Sequence, residues 1–472
     1  MKLVADLSPL GLPWRPRNGL AAPGLVLDFA AGRYAPGGFG DLISFSRGST
    51  ATYIDAAGNR QAAAADAPRF THDPATGAPL GLLVEESRTN LLLNSAVLAT
   101  QGVAVTAQPY TLSFTGSGSV TLSGAAADGP LTGAGDGEAN RVSLSFIPAA
   151  GTLTLTVSGT VTDAQLEAGA TPTSYIPTAG AAVTRAADSV ILPAANLPWP
   201  APQVVGAELT ANGTFDTDTD WTKGAGWTIG GGKASKTAGS TSNLISGAGV
   251  AEGGKSYLVR FDISDYAAGY LIFYAGLGGS GNSTGTIVSD GSYAYALIGG
   301  ASDAKLYVQA SSTFVGAIDN ISVQEIAPLG VSLQLEGRMT YADEDAAGQV
   351  RFLTWAADGS NRVLWTLDTS GANSGKIAVS QKAAGTEDIS SGAAGGYSEG
   401  VLTPFNIAGR HGSTFIQGAA EGAVFAADVT PTALPDLSGT DLQLADGFTG
   451  TIRRFRMWGL DLGESGIGKA SA

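Results

Sequence analysis

His72 and His411 are the only imidazoles in 472 residues, and cysteine is absent. A Ser-His-Asp relay needs an imidazole beside a nucleophile and an orienting acid, yet neither histidine sits in a nucleophile-elbow sequence. His72, in RFTHDPATG, reads as a turn residue, and His411, in AGRHGSTF, as a hairpin residue. Zinc chemistry built on His and Cys is excluded by the same count. Paired carboxylates remain, because glycoside cleavage needs only two acids about 5–10 Å apart. Asp216, Asp218, Asp220, Asp262 and Asp265 supply acids in one stretch, and Asp343, Glu344 and Asp345 in another. No motif places any of them. The residues therefore predict no enzyme and assign no catalytic residue; a polysaccharide depolymerase is the catalytic alternative.

Aromatic side chains offer a different chemistry. Seven tyrosines (Tyr257, Tyr266, Tyr270, Tyr274, Tyr293, Tyr295 and Tyr307) fall between positions 205 and 328, with Trp221 and Trp227. A sugar is held by a flat aromatic face under its apolar side and by planar polar groups at its hydroxyls. In YLVRFDIS, period-two alternation puts Tyr257, Val259, Phe261 and Ile263 in a core and turns Leu258, Arg260 and Asp262 outward. In DYAAGYLIFYAG, Tyr266, Tyr270, Ile272 and Tyr274 share one parity. Trp221 and Trp227 flank a Gly-rich turn, where one of them is expected to plug a sandwich end. The carbohydrate-binding candidates are Trp221, Trp227, Arg260, Asp262, Tyr266, Tyr270 and Tyr274.

The elements that must carry these residues are short strands. The chain holds 67 Gly and only 14% charged residues, a composition suited to tight turns rather than long amphipathic helices. Its length allows about three domains at roughly 150 residues each. It has no heptad run and no apolar stretch long enough to span a bilayer. A net charge of −15 argues against nucleic acid, whose phosphates need clustered Lys and Arg. The one dense basic cluster, Arg453, Arg454 and Arg456, reads as a solvated strand face. The N-terminus is interrupted by Asp6 and three prolines, unlike a secretory signal, so synthesis in a bacterial cytoplasm without a signal peptide is expected. Lack of cysteine is compatible with that.

Taken in order, residues 1–25 are Pro-rich and irregular, and are expected to form a docking arm, with plain disorder as the alternative. The strings SRGSTATYIDAAGNR, APRFTHDPATGAPLGLLVEESRTNLLLNS and QLEAGATPTSYIPTAGAAVTRAAD follow. Together they resemble a module of tailed-phage and phage-derived virion fibres and spikes, including those of gene-transfer agents. Residues 205–328 open with ELTANGTFD and close with AIDNISVQEI, and resemble the carbohydrate-binding jelly rolls attached to glycoside hydrolases. From 329 onward, SLQLEGRMTY through TIRRFRMW resembles a concanavalin A-like (laminin-G-like) sandwich.

The resulting expectation is an all-β, multidomain chain of antiparallel β-sandwiches, jelly rolls plus a concanavalin A-like sandwich. Its parts are an irregular arm (1–25), an attachment module (26–95), a small sandwich (96–176), a concanavalin A-like sandwich (177–204 and 329–472) and an inserted jelly roll (205–328). Residues 161–190 read as the joint between them. DAQLE there echoes DNISVQE at the end of the insert, and Tyr175 and Arg185 are expected in interdomain packing. In the insert, Asp319 shares parity with Ile321 and Val323 and is expected to face inward, where a carboxylate needs a cation or several donors. Related jelly rolls hold a structural Ca²⁺ there, which implies Glu208, Asp216 and Asp319 as ligands.

The resemblance implies a virion-surface fibre or spike that binds host polysaccharide, contacts other virion proteins through its N-terminal region and forms a homo-oligomer, with a trimer expected. No membrane insertion is expected. A purely structural, decorating role is the other alternative.

Overall fold

Strand Leu25–Asp28 pairs antiparallel with strand Gly450–Trp458, Leu27 opposite Phe455. The same long strand takes Gly330–Tyr341 on its other side and Pro79–Val84 further along. These pairings build a nine-stranded sheet that also includes Gly400–Gly412 and Ile416–Ala420. A seven-stranded sheet lies against it, running Ser44–Ser46, Ser189–Leu192, Leu442–Leu444, Gln349–Ala356, Arg362–Asp368, Lys376–Ala383 and Thr386–Ser391. Between them Leu25, Leu82, Val190, Leu333, Trp355 and Trp365 form one buried core. The computed structural model describes residues 19–279, 281–343 and 348–472.

This pairing corrects one boundary. Residues 26–95 are not a separate module, because strands Leu25–Asp28, Arg33–Ala35, Ser44–Ser46, Arg69–His72 and Pro79–Val84 complete the two sheets built mainly by residues 330–458. The physical reason is simple: Leu25, Leu27, Leu82 and Val84 each need an opposing apolar layer, and the later strands supply it.

Two further sandwiches interrupt this host. The first stacks a three-stranded sheet, with Tyr110–Thr115 at its centre, on a four-stranded one. Leu112, Phe114, Val120, Leu153, Leu155 and Leu166 fill it. It leaves and rejoins the host at Arg88–Asn90 and Val183–Arg185, which pair with each other. The second is a six-stranded sheet on a four-stranded one with its own core. Its entry and exit also lie side by side, Val204 opposite Ile326. Paired ends of this kind let a domain be inserted without disturbing its host.

The strings that carry the fibre resemblance converge at the joint. Arg69 donates to Glu85 at 2.7 Å and to Asp188 at 2.6 Å, and Arg47 reaches Asp188 at 3.1 Å. Arg185 stands 3.1 Å from Glu85 and donates through Nη2 to the Glu86 carbonyl. All five charged side chains are at most 2% exposed. Ser174 adds backbone and hydroxyl bonds to Glu85, both 2.6 Å. Burial pushes the Glu85 carboxyl up, but Arg185, Arg69 and Ser174 outweigh it and hold it at about 2. Tyr175 is buried beneath Arg60 and Arg141, its hydroxyl 2.7 Å from Ser95. Tyr175 and Arg185 thus pack between domains, as the sequence predicts.

The echo between the two inserted sandwiches has a backbone basis. Asp163 and Asn320 both adopt positive φ, 50° and 53°. Each stands at a register shift on the closing strand. After it, Ala164 and Leu166 face one core and Ile321 and Val323 the other. An extra residue of this kind resets which side chains point inward.

On the outer face of the nine-stranded sheet, helix Gly463–Ala470 covers Trp458 with Ile467 and Leu20. Trp458 Nε1 donates to the Ala21 carbonyl at 2.9 Å. Of the expected docking arm, residues 1–18 lie outside the described residues.

Candidate glycan-binding surface

In the second inserted sandwich, strand Ser256–Ala268 follows the expected alternation. Tyr257, Val259, Phe261 and Ile263 are buried, and Phe261 stacks on Phe273 with centroids 3.6 Å apart. Arg260 is exposed and Asp262 half-buried on the outer face. Leu258 departs from expectation and is buried, because Gln324 and Ala296 flank it on the neighbouring strands.

Strand Leu271–Ala275 belongs to the opposite, four-stranded sheet. Leu271, Phe273 and Ala275 are fully buried. Tyr270, Ile272 and Tyr274 therefore share the outer face, with Tyr270 37% exposed. Their next neighbours on strand Leu306–Ala310 are Gln309, opposite Ile272, and Tyr307, opposite Tyr274. One strand further, Asn243 and Ile245 continue the same two rows. Tyr270 and Tyr274 are four positions apart, about 13 Å along a strand, the length of a short oligosaccharide. Planar amide groups stand beside them. The strand edge is closed by residues 282–287, through bonds such as Phe273 N to Thr284 Oγ1 at 3.1 Å, so the surface offers side chains rather than free backbone.

The seven sequence candidates separate into four groups. Trp221 and Trp227, 7% and 5% exposed, are core residues and not ligand platforms. Their indole nitrogens donate to the Asn212 and Ser242 carbonyls, and Trp221 packs on Phe215. Large rings at a sandwich end fill volume, and here both do so. Arg260 and Asp262 lie on the outer face of the six-stranded sheet, away from the tyrosines. Arg260 donates to Gln324 at 3.3 Å and Asp262 accepts from Asn320 at 2.8 Å. Hydrogen bonds from Ser292 and Asn320 keep the Asp262 carboxyl below its ordinary range. Tyr266 is half-buried against Phe314, its hydroxyl donating to the Gly269 carbonyl. Of the aromatic candidates, only Tyr270 and Tyr274 share an outer face. Sequence reading passed over Gln309 and Asn243, although their alternation with Val308 and Leu244 carries the signal.

The implied calcium ligands are not gathered. Glu208 is occupied by Ser322 at 2.5 Å and the Val323 and Thr210 amides at 2.8 and 2.9 Å. Asp216 accepts from Thr214 at 2.7 Å. Asp319 does not face the core, because the positive-φ Asn320 shifts the parity; it lies opposite Asp262 instead. Among the described residues no group of three or more His, Cys, Asp or Glu suits a metal ion.

Neither histidine is placed for chemistry. His411 is fully buried, and its Nε2 accepts from Trp365 Nε1 at 2.9 Å. Burial pushes its pKa down to about 3. His72 rests 3.2 Å from the Ile54 carbonyl. Glu344 and Asp345 lie outside the described residues. Arg453 and Arg454 pair with Glu336, and Arg454 also with Asp28. Arg456 covers Trp458. The basic cluster is thus a paired strand face.

The chain is an all-β protein of several antiparallel sandwiches. No protein-family model and no curated protein matches it. Among solved structures it overlaps the CBM40 module of Ruminococcus gnavus IT-sialidase bound to α2,3-sialyllactose. That overlap has 12% identity over 31% of this chain and 84% of that one, with a TM-score of 0.24. The LG4-5 domains of the mouse laminin α1 chain overlap 51% of this chain and 89% of their own, at 10% identity and a TM-score of 0.20. Overlaps this shallow carry no argument about function, which rests on the side chains.

Proposed function

We propose that this chain is a virion fibre or spike protein that binds bacterial surface polysaccharide through the outer face of its second inserted sandwich. The observation that carries the reading is the row of exposed Tyr270 and half-buried Ile272 and Tyr274 on one outer face, beside Gln309 and Asn243. Aromatic faces and planar amides are the groups a pyranose engages. The fibre assignment is supported by the motif strings that meet in the Arg69–Glu85–Asp188 cluster. The N-terminal arm would face the particle, and the inserted jelly roll and the host sandwich the host cell. A trimer would multiply weak sugar affinity by avidity.

In this reading the protein binds without cleaving. The test is a glycan array and host-cell adsorption, using the intact protein and a deletion of residues 205–328. Binding by the intact protein and its loss on deletion is expected. Equal adsorption by both would overturn the assignment, and release of reducing ends from a bound polysaccharide would contradict the non-catalytic part.

A further inference from the structure

The host sandwich carries a concavity whose chemistry differs from that of the tyrosine face. Its seven-stranded sheet bears an open groove of about 690 Å³ on the side away from the core. A register shift between Arg351 and Leu353 makes Phe352 and Leu353 both face inward. That extra residue keeps Trp355 in the core while Arg351 remains on the groove side. Across the strands Arg351 stands opposite Thr366, which stands opposite Ala378; one row away Asp368 stands opposite Lys376.

The charges in this groove are only partly committed. Arg351 reaches Asp446 by a single long contact of 3.4 Å, with its side chain 45% exposed. Most of its guanidinium fork is left for a ligand. Lys376 has no ion pair or hydrogen bond among the described residues. Asp368, opposite Lys376, accepts from the Ser370 amide and hydroxyl at 2.9 and 2.7 Å through Oδ1 and forms no ion pair with Lys376 among the described residues. Ile389, 54% exposed, forms an apolar wall of the same groove. In a chain of net charge −15, Arg351 and Lys376 balance Asp368 and Asp446 within this groove.

We propose that this groove is a second glycan site, selective for carboxylate-bearing sugars. Arg351 and Lys376 would take the carboxylate, Asp446 and Gln349 the hydroxyls, and Ile389 the apolar side of a ring. The site is independent of the tyrosine surface, which carries no cation in its two rows.

The test is calorimetric titration of the intact chain with hexagalacturonate, with maltohexaose as the neutral comparator. Hexagalacturonate is expected to bind saturably, more tightly than maltohexaose, and more weakly as salt rises. Arg351→Ala/Lys376→Ala is expected to lower its affinity about tenfold or more. Tyr274→Ala, and the charge-matched pair Arg33→Ala/Lys233→Ala, are expected to leave it unchanged. No saturable binding, or equal binding by the Arg351/Lys376 variant, would overturn the proposal. An equal loss in the charge-matched pair would reduce the effect to net charge and overturn it too.

Discussion

Arg69 and Asp188 are 119 positions apart in the chain, and their side chains meet at 2.6 Å with neither exposed to solvent. Everything between them except the first inserted sandwich and its flanks belongs to the host. The contact therefore closes the host around its insert. A buried ion pair is weak evidence of net stabilisation, but removing one partner strands the other's charge at a cost of about 3–5 kcal/mol. Arg69→Ala and Asp188→Ala are each expected to lower the denaturant midpoint by that order. The double variant should cost less than their sum, since the two act as one unit.

Acid should loosen the same joint. Glu85 is held at about 2 in the fold, below the ordinary 4.5. A depressed carboxylate contributes stability that is fully present above its unfolded pKa. That contribution is expected to fall away as pH drops from about 4.5 towards 2. Glu167 is buried and shifted upward by that burial, so its protonation acts in the opposite sense. Comparing acid unfolding of the native chain with Glu85→Gln checks the assignment: the variant should show a shallower loss over that window.

His411 supplies a separate pH signature. Its folded pKa of about 3 lies below the ordinary 6.5, so the native state favours the neutral ring. Stability is expected to be intact above about pH 6.5 and to decline as pH falls towards 3, with a limiting slope of about 1.4 kcal/mol per pH unit. His411→Gln keeps an acceptor for the Trp365 indole and removes the proton. Its stability curve should lack that slope.

Positive φ at the closing strands gives a backbone test. Asn320→Ala is expected to cost about 1–2 kcal/mol, because it removes the short polar side chain that suits the left-handed region and bonds Asp262 at 2.8 Å. Asn320→Gly should cost less. Asp163 should follow the same order in the other sandwich. Thermal melts of the four variants decide it.

Much of this molecule was legible where local alternation governs it. The inward set Tyr257, Val259, Phe261 and Ile263 follows from period two alone, as does the shared parity of Tyr270, Ile272 and Tyr274, though not which side of the sheet they face. The membership of residues 25–84 was not legible, since Arg454 and Asp28 meet across 426 positions and no local pattern encodes that pairing. The implied inward Asp319 failed for a different reason. One left-handed residue, Asn320, reverses the parity, and an asparagine in sequence does not announce its φ. Trp221 and Trp227 failed as ligand platforms because ring size fits a core as well as a sugar, and only burial separates the two.

The proposed function stands on glycan binding by the tyrosine face of the second inserted sandwich. Its most direct measurement is the affinity of the intact protein, Tyr270→Ala/Tyr274→Ala and Arg260→Ala/Asp262→Ala for the polysaccharide of a host that the native protein adsorbs. The tyrosine variant is expected to lose about tenfold or more, while the pair on the opposite sheet retains native affinity. Native affinity in the tyrosine variant, or loss confined to the Arg260/Asp262 variant, would contradict the account.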